Sequence, residues 1–430
     1  MGFSLAIHII FASLGMALPV IIIIMEFLGV RKNDQDYKNF AKKLTLIFLV
    51  LFAIGSASGV LVAIELFMLW PKFAVLLGQV AITPMYVEVF AFFSETIFIG
   101  AYLYSWDRFK WKYAHVLIAV PVAIGAALSA LLITIVNAFM NNPVGFNIVQ
   151  YVATNDTMIT NVHPFAVFTS QSALIEISHV VSSSYFAGAM IILAYVILRL
   201  LKAPDEKTRS YYAKALKVTF AIAAIAVVFT IITGIISISS LATFQPEKYA
   251  AIEGNIHGGP YAPEMIGGIP SNNSTSMVDF IDIPNMQSIL LGGTANTIVP
   301  GLDSYPRNTW PPLIVHVMFL LMVSLGFGLG LVFVLVIISQ ILKKEPLARK
   351  LCLYLLFLCA IAAVLVLETG WIMSELARQP WIVYGVMTVE QAGNYSPNIL
   401  PAAVAILAFY LFIIPFSLMI IKKILKNQNL

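Results

Sequence analysis

The sequence predicts an all-α integral membrane protein of about nine transmembrane helices, with the N-terminus outside and the C-terminus inside. Composition, the length of the apolar runs and the placement of basic residues predict it. Of 430 residues, 60% are hydrophobic and 11% charged, whereas an ordinary soluble domain carries about 25% charged residues. A helix needs roughly 20 apolar residues to cross the hydrocarbon. Stretches of that order run roughly over 2–29, 44–70, 85–105, 114–140, 165–200, 212–240, 311–341, 350–376 and 398–424. In the stated orientation every Lys and Arg lies on an inner segment except Lys72, Lys248, Arg307 and Arg378, as the positive-inside rule requires. The net charge of +4 therefore follows from topology in a lipid bilayer and gives no indication of nucleic acid.

Taken in order, the first span has no basic residue before Arg31. It lacks the charged start of a cleaved signal peptide and reads as a retained helix. Residues 1–240 hold six spans, and 311–430 hold the last three. Between them, 241–310 is an outer segment rich in Gly, Pro, Asn and Ser with no membrane-length run; a loop of that size is usually functional. The two cysteines, Cys352 and Cys359, share one span, which gives no disulfide framework, no CxxCH attachment and no zinc site. No internal repeat is evident, which counts against an inverted-repeat transporter.

The spans carry His8, Glu88, Glu95, His179, Met318 and Glu368, all in the outer part of the bilayer under this topology. An ionisable group there costs roughly 2.5 to 3.5 kcal/mol and usually marks a site. Two imidazoles, a thioether and three carboxylates at one level suit haem ligation and proton relay. Each also has a plainer reading. His8 could be a hydrogen-bonded interface residue. The small residues Ser182, Ser183, Ser184, Ala187 and Gly188 after His179 could admit a macrocycle or simply pack helices. Met318 could be packing; opposite a histidine it would give low-spin coordination and a raised potential. His316 lies 200° from Met318 around the helix, so the two cannot serve one iron. Glu88 and Glu95, seven apart, share a face. Buried carboxylates have raised pKa values and can carry protons or bind metal. Glu65 and Glu375 read as structural carboxyls.

Together these residues resemble the large, haem-bearing subunit of the cytochrome bd quinol oxidases, over nearly the whole chain. His8-Ile-Ile-Phe-Ala-Ser-Leu-Gly15-Met16 through Met25-Glu26 looks like the family's first helix. Ala91-Phe-Phe-Ser-Glu95 followed by Trp106-Asp107-Arg108 is similar to its third helix and inner turn. Ser129-Ala130-Leu131 and Asn137-Ala-Phe-Met140-Asn-Asn-Pro143 match its fourth. Glu368-Thr-Gly-Trp371 and Arg378-Gln379-Pro380-Trp381 form the most specific signature. In the outer loop, Lys248-Tyr-Ala-Ala-Ile-Glu253 looks like the quinol-oxidising segment; without the resemblance it reads as a solvated ion pair. Here Glu88 stands seven residues before Glu95 where the family has eight, Glu176 falls where a relative carries lysine, and Ala377 replaces a glycine.

The resemblance implies a quinol:oxygen oxidoreductase with three non-covalent haems: a low-spin haem b, a high-spin haem b, and haem d or a further haem b. It implies His179 and Met318 as low-spin ligands and His8 and Glu368 as high-spin ligands, with Trp371 and His316 beside the cofactors. It places Lys248 and Glu253 at the quinol, and Glu88, Glu95, Ser129 and Arg378 in catalysis. The implied partners are a second membrane subunit, small single-span subunits, membrane quinol and dioxygen. The implied location is a prokaryotic plasma membrane. A non-catalytic haem b carrier and a proton-coupled secondary transporter are the alternatives.

Overall fold

The computed structural model describes residues 1–151, 156–273 and 275–427. Among them, nine helices are long and apolar enough to cross a membrane. Helix α1 (Gly2–Arg31) is joined to α2 (Gln35–Leu69) by a turn in which the Asp34 side chain accepts from the Asp36 N–H and caps the new helix. Proline at the first turn starts both α3 (Pro71–Val80) and α4 (Thr83–Tyr104), where its missing N–H has no intrahelical partner to lose. After α5 (Lys112–Asn141) come the antiparallel strands β1 (Asn147–Tyr151) and β2 (Asp156–Thr160), then α6 (Gln171–Leu201). Asp205 caps α7 (Glu206–Phe244) through the Thr208 N–H.

The segment after α7 is folded. It holds α8 (Pro246–Glu253), the antiparallel hairpin β3 (Glu264–Pro270) and β4 (Met277–Ile283), and α9 (Met286–Gly292). Gly254, at φ +76°, ends α8 in the left-handed region that glycine enters without strain. Three more spans complete the chain: α10 (Ile314–Ile341), α11 (Lys350–Leu376) and, after strands β5 (Trp381–Val383) and β6 (Met387–Thr388) and the turn α12 (Val389–Ala392), α13 (Ile399–Asn427). The sixth span runs to Phe244 where the apolar run predicts an end near 240. Ser239 and Ser240 satisfy their hydroxyls on carbonyls of their own helix, so the polar tail stays helical until Pro246 begins α8.

Neighbouring helices pack as α1 on α2 and α6, α4 on α5, α6 on α7, and α10 on α11. In lipid, tails are as apolar as side chains, so helix association depends on close packing. Small residues supply it: a Cβ at Gly188 of α6 would lie 2.2 Å from the Ser13 carbonyl oxygen of α1. Any larger residue there forces those two helices apart. Alternation of direction then brings the start of α1, α4, α6 and α10 to the same end of the bundle as the finish of α2, α5, α7 and α11.

Candidate functional site

That shared end holds the residues singled out from the sequence. His8 of α1 meets the Ser58 hydroxyl of α2 through Nδ1 at 2.9 Å. Ser58 donates its own hydrogen to the Gly55 carbonyl at 2.8 Å, so it can only accept from the ring. Nδ1 therefore carries the hydrogen, and Nε2 presents a lone pair. The next residue, Gly59, makes room: a Cβ there would lie 2.9 Å from the His8 Cε1.

His179 of α6 repeats this arrangement on α7. Its Nδ1 lies 3.3 Å from the Thr233 hydroxyl, which donates to the Phe229 carbonyl at 2.7 Å. Again the ring must donate and Nε2 stays open. A Cβ at the following residue, Gly234, would sit 3.1 Å from the His179 Cε1. Neither Nε2 atom has a hydrogen-bond partner among the described residues. These hydroxyl–glycine pairs, Ser58-Gly59 and Thr233-Gly234, were not read from the sequence. Their signal is weak, because such dipeptides abound in membrane helices.

Both carboxyl oxygens of Glu368 are buried without a partner among the described residues, which is costly for a group that nothing else engages. Its neighbour Leu367 packs with Ile9 and Ala187 in a small apolar cluster that also gathers Leu5 and Trp371. That cluster draws α1, α6 and α11 together beside His8 and Glu368. Met318 is half-buried on α10, packed against the cluster formed by α8 and the start of α10. His316, two residues earlier, is fully buried, with Nδ1 2.8 Å from the Ile252 carbonyl and Nε2 2.8 Å from the Gly267 carbonyl. Both nitrogens are thus spent on backbone and neither is open to a metal. His316 fastens α8 and β3 to α10.

Glu88 and Ser129 are brought together: the Ser129 hydroxyl of α5 donates to the Glu88 carboxylate of α4. Glu95 is buried one stretch further along α4, against Gly125 of α5. Glu65 accepts from the Ser4 hydroxyl at 2.8 Å and so links α1 to α2.

Lys248 and Glu253 do not form a solvated pair. Both lie buried, at 4% and 7% exposure. Five residues apart on a helix, they point in different directions. Lys248 donates to the Ser374 carbonyl and hydroxyl of α11 at 3.1 and 3.2 Å. Burial pushes its ammonium down to about 8, partly offset by the Glu176 carboxylate. Burial pushes the Glu253 carboxyl up to about 8, aided by Glu264 and opposed by Gln287. Behind Lys248 runs a polar network. Arg378 donates to Glu375 at 2.6 Å and to the Asn141 side-chain oxygen at 3.4 Å; Asn137 donates to Glu375 at 2.8 Å, and Asn141 to Glu176 at 3.2 Å. Of these residues only Arg378 was singled out as functional. The spacing Asn137–Asn141, one helical turn, was the available clue.

Comparison with known proteins gives this geometry its context. The family model described as cytochrome bd terminal oxidase subunit I matches residues 1–429. The chain belongs to that family. A Bacillus subtilis (strain 168) protein, provisionally named as a cytochrome bd menaquinol oxidase subunit I, is 34% identical over 93% of this chain and 88% of its own length. A second protein from that organism, a cytochrome bd ubiquinol oxidase subunit 1, is 28% identical over 91% of this chain and 84% of its own. The bd oxidase structure from Geobacillus thermodenitrificans superposes with a TM-score of 0.90 at 32% identity, covering 100% of this chain and 97% of that one. As a cytochrome bd subunit I family member, the chain is a multi-pass prokaryotic membrane protein with an oxidase role and haem cofactors. Two open imidazole nitrogens, a thioether and an unpartnered carboxyl form a donor set that fits haem iron.

Proposed function

We propose that this chain is the haem-bearing subunit of an oxidase that takes electrons from a membrane quinol, reduces dioxygen to water and contributes to proton motive force. The observation that carries the reading is the matched pair His8 and His179, each with Nδ1 spent on a hydroxyl, Nε2 open and a glycine against Cε1. His179 and Met318 would hold the low-spin haem b. His8 and Glu368, with Trp371 alongside, would hold a high-spin haem b and either haem d or a further haem b. Bound there, the haems supply one-electron transfer and oxygen reduction.

The chain's own residues place and protonate. Glu253, with its pKa near 8, accepts a proton from the quinol hydroxyl. Lys248, also near 8, donates a hydrogen bond to the quinol oxygen. Groups poised this close to neutral pH exchange protons most effectively. The two bonds of His316 fix α8 relative to Met318. Glu88, Glu95 and Ser129 hold protons on their way to oxygen, and Arg378 balances the carboxylates around Lys248.

With the N-terminus outside, 241–310 becomes an outer quinol-oxidising unit between two haem-holding bundles, 1–240 and 311–430. Quinol protons then leave outside, while oxygen reduction draws protons from inside. Each charge so moved is worth about 2.3 kcal/mol per 100 mV. A second membrane subunit, with small single-span subunits, completes the complex. The exposed apolar face of α4, with Phe90, Phe93 and Ile97, is left to lipid or to that subunit. A reduced-minus-oxidised visible spectrum of the purified complex tests the reading. Low-spin and high-spin haem bands are expected together. A colourless complex would sink it, and a lone low-spin band would make the protein an electron carrier.

A further inference from the structure

The opposite end of the bundle carries a polar cluster that quinol oxidation does not use. Glu26 of α1 is buried, and Tyr102 of α4 donates to its Oε2 at 2.6 Å. His115 of α5 bonds the other carboxylate oxygen through Nδ1, while its Nε2 faces the Tyr102 carbonyl at 2.9 Å. The imidazole stacks on the Tyr102 ring at 4.3 Å, and Trp106 meets both edge-on. Lys42 of α2 caps Trp106 at 5.5 Å, and Asp107 on the turn adds negative charge near His115. Both His115 nitrogens face oxygen acceptors, so a proton shared between imidazole and carboxylate is the natural occupant.

Position makes this more than a structural knot. On α4, Glu88, Glu95 and Tyr102 follow one another in steps of seven, each returning to within about 20° of the same direction. On α5, His115, Val122 and Ser129 do likewise. These stripes face each other along the α4–α5 contact: Ser129 bonds Glu88 at one end, Gly125 gives way to Glu95 in the middle, and His115 stacks on Tyr102 at the other. Each step along α4 is about 10.5 Å of helix, the reach of a short file of water.

We propose that Glu26, His115 and Tyr102 form a proton-loading station that feeds the α4–α5 seam toward Glu95 and Glu88. A proton from water at this end binds the Glu26–His115 pair as another leaves along the seam, so the pair is unchanged after each transfer. The inference rests on the oxidase reading and gives its oxygen chemistry an uptake point on the side away from the quinol.

The test uses the whole oxidase complex in vesicles, comparing wild type with Glu26→Gln and Tyr102→Phe. Glutamine keeps the hydrogen-bonding shape but cannot carry the proton. For Glu26→Gln we expect an unchanged haem spectrum and unchanged anaerobic haem reduction by quinol. Oxygen consumption should slow roughly tenfold or more, with an enlarged solvent isotope effect. Tyr102→Phe, which removes one hydroxyl, should show a smaller loss of the same kind. Wild-type oxygen consumption with an unaltered isotope effect in Glu26→Gln overturns the proposal. If that variant does not assemble, the same result in Tyr102→Phe overturns it. A wild-type complex that reduces no oxygen overturns the oxidase reading beneath it, and the proposal with that.

Discussion

At the end of the bundle with His8, His179 and Glu368, buried polar atoms keep unused valences; at the other end, Glu26, His115 and Tyr102 use up one another's. The contrast is physical, since both ends pay to bury polarity. At the first, Ser58 and Thr233 orient each imidazole, glycines make room at Cε1, and the Glu368 carboxyl has no partner among the described residues. At the second, Tyr102 and His115 both bond the Glu26 carboxylate, and His115 closes the circuit on the Tyr102 backbone carbonyl. Open lone pairs gathered at one level, with glycines making room for the rings, can take a ligand, whereas a closed circuit either holds helices together or passes protons. His316 sharpens the point within one region. Like His8 and His179 it is a histidine in a span, yet both its nitrogens are spent on carbonyls.

The largest break in that comparison is His179→Ala. It should abolish the low-spin haem absorbance while the complex still assembles; an unchanged alpha band would remove His179 from ligation. Next comes Glu253→Gln, expected to slow quinol oxidation by roughly 10²-fold or more with haem content intact. A base with its pKa raised to about 8 is mostly protonated below that pH and gains its active form above it. Wild-type turnover should therefore rise as pH passes through about 8, and the glutamine variant should lose this limb. Turnover matching wild type at every pH would take α8 out of the chemistry. Smaller still is Ser58→Ala, which removes the side-chain acceptor of the His8 Nδ1 hydrogen and leaves it only the Gly55 carbonyl. Loss of such an orienting partner typically costs 10- to 100-fold in metal affinity, to be read as weaker retention of one high-spin haem on titration. The smallest effect is expected of Met318→Leu, a lowered low-spin haem potential with the haem retained. A drop on His316→Leu alone would give the sixth ligand to His316 and contradict its carbonyl bonds.

Much of this is legible in the amino-acid sequence. Helices α1, α6 and α11 were visible because the hydrocarbon demands an unbroken apolar run, and a run of that length has no other stable home. His8, His179, Met318 and Glu368 were visible because donors in such runs are expensive. The fold of residues 241–310 was not legible: α8 and the β3–β4 hairpin are short, amphipathic only against their tertiary neighbours, and punctuated by glycine. Nor was the burial of Lys248 and Glu253, which a loop composition reads as solvated and which α11 and Gln287 enclose.

The amino-acid sequence alone determined that the protein crosses a membrane about nine times, and which side chains are too costly there to be accidental. Apolar length and the cost of a buried donor are local quantities, set by the residues themselves. Only the tertiary structure decided which nitrogen of each histidine stays open, that His316 is taken, and that Glu26, His115 and Tyr102 close on one another. Those outcomes depend on partners as far as 89 residues away in the chain, which meet only when the helices pack.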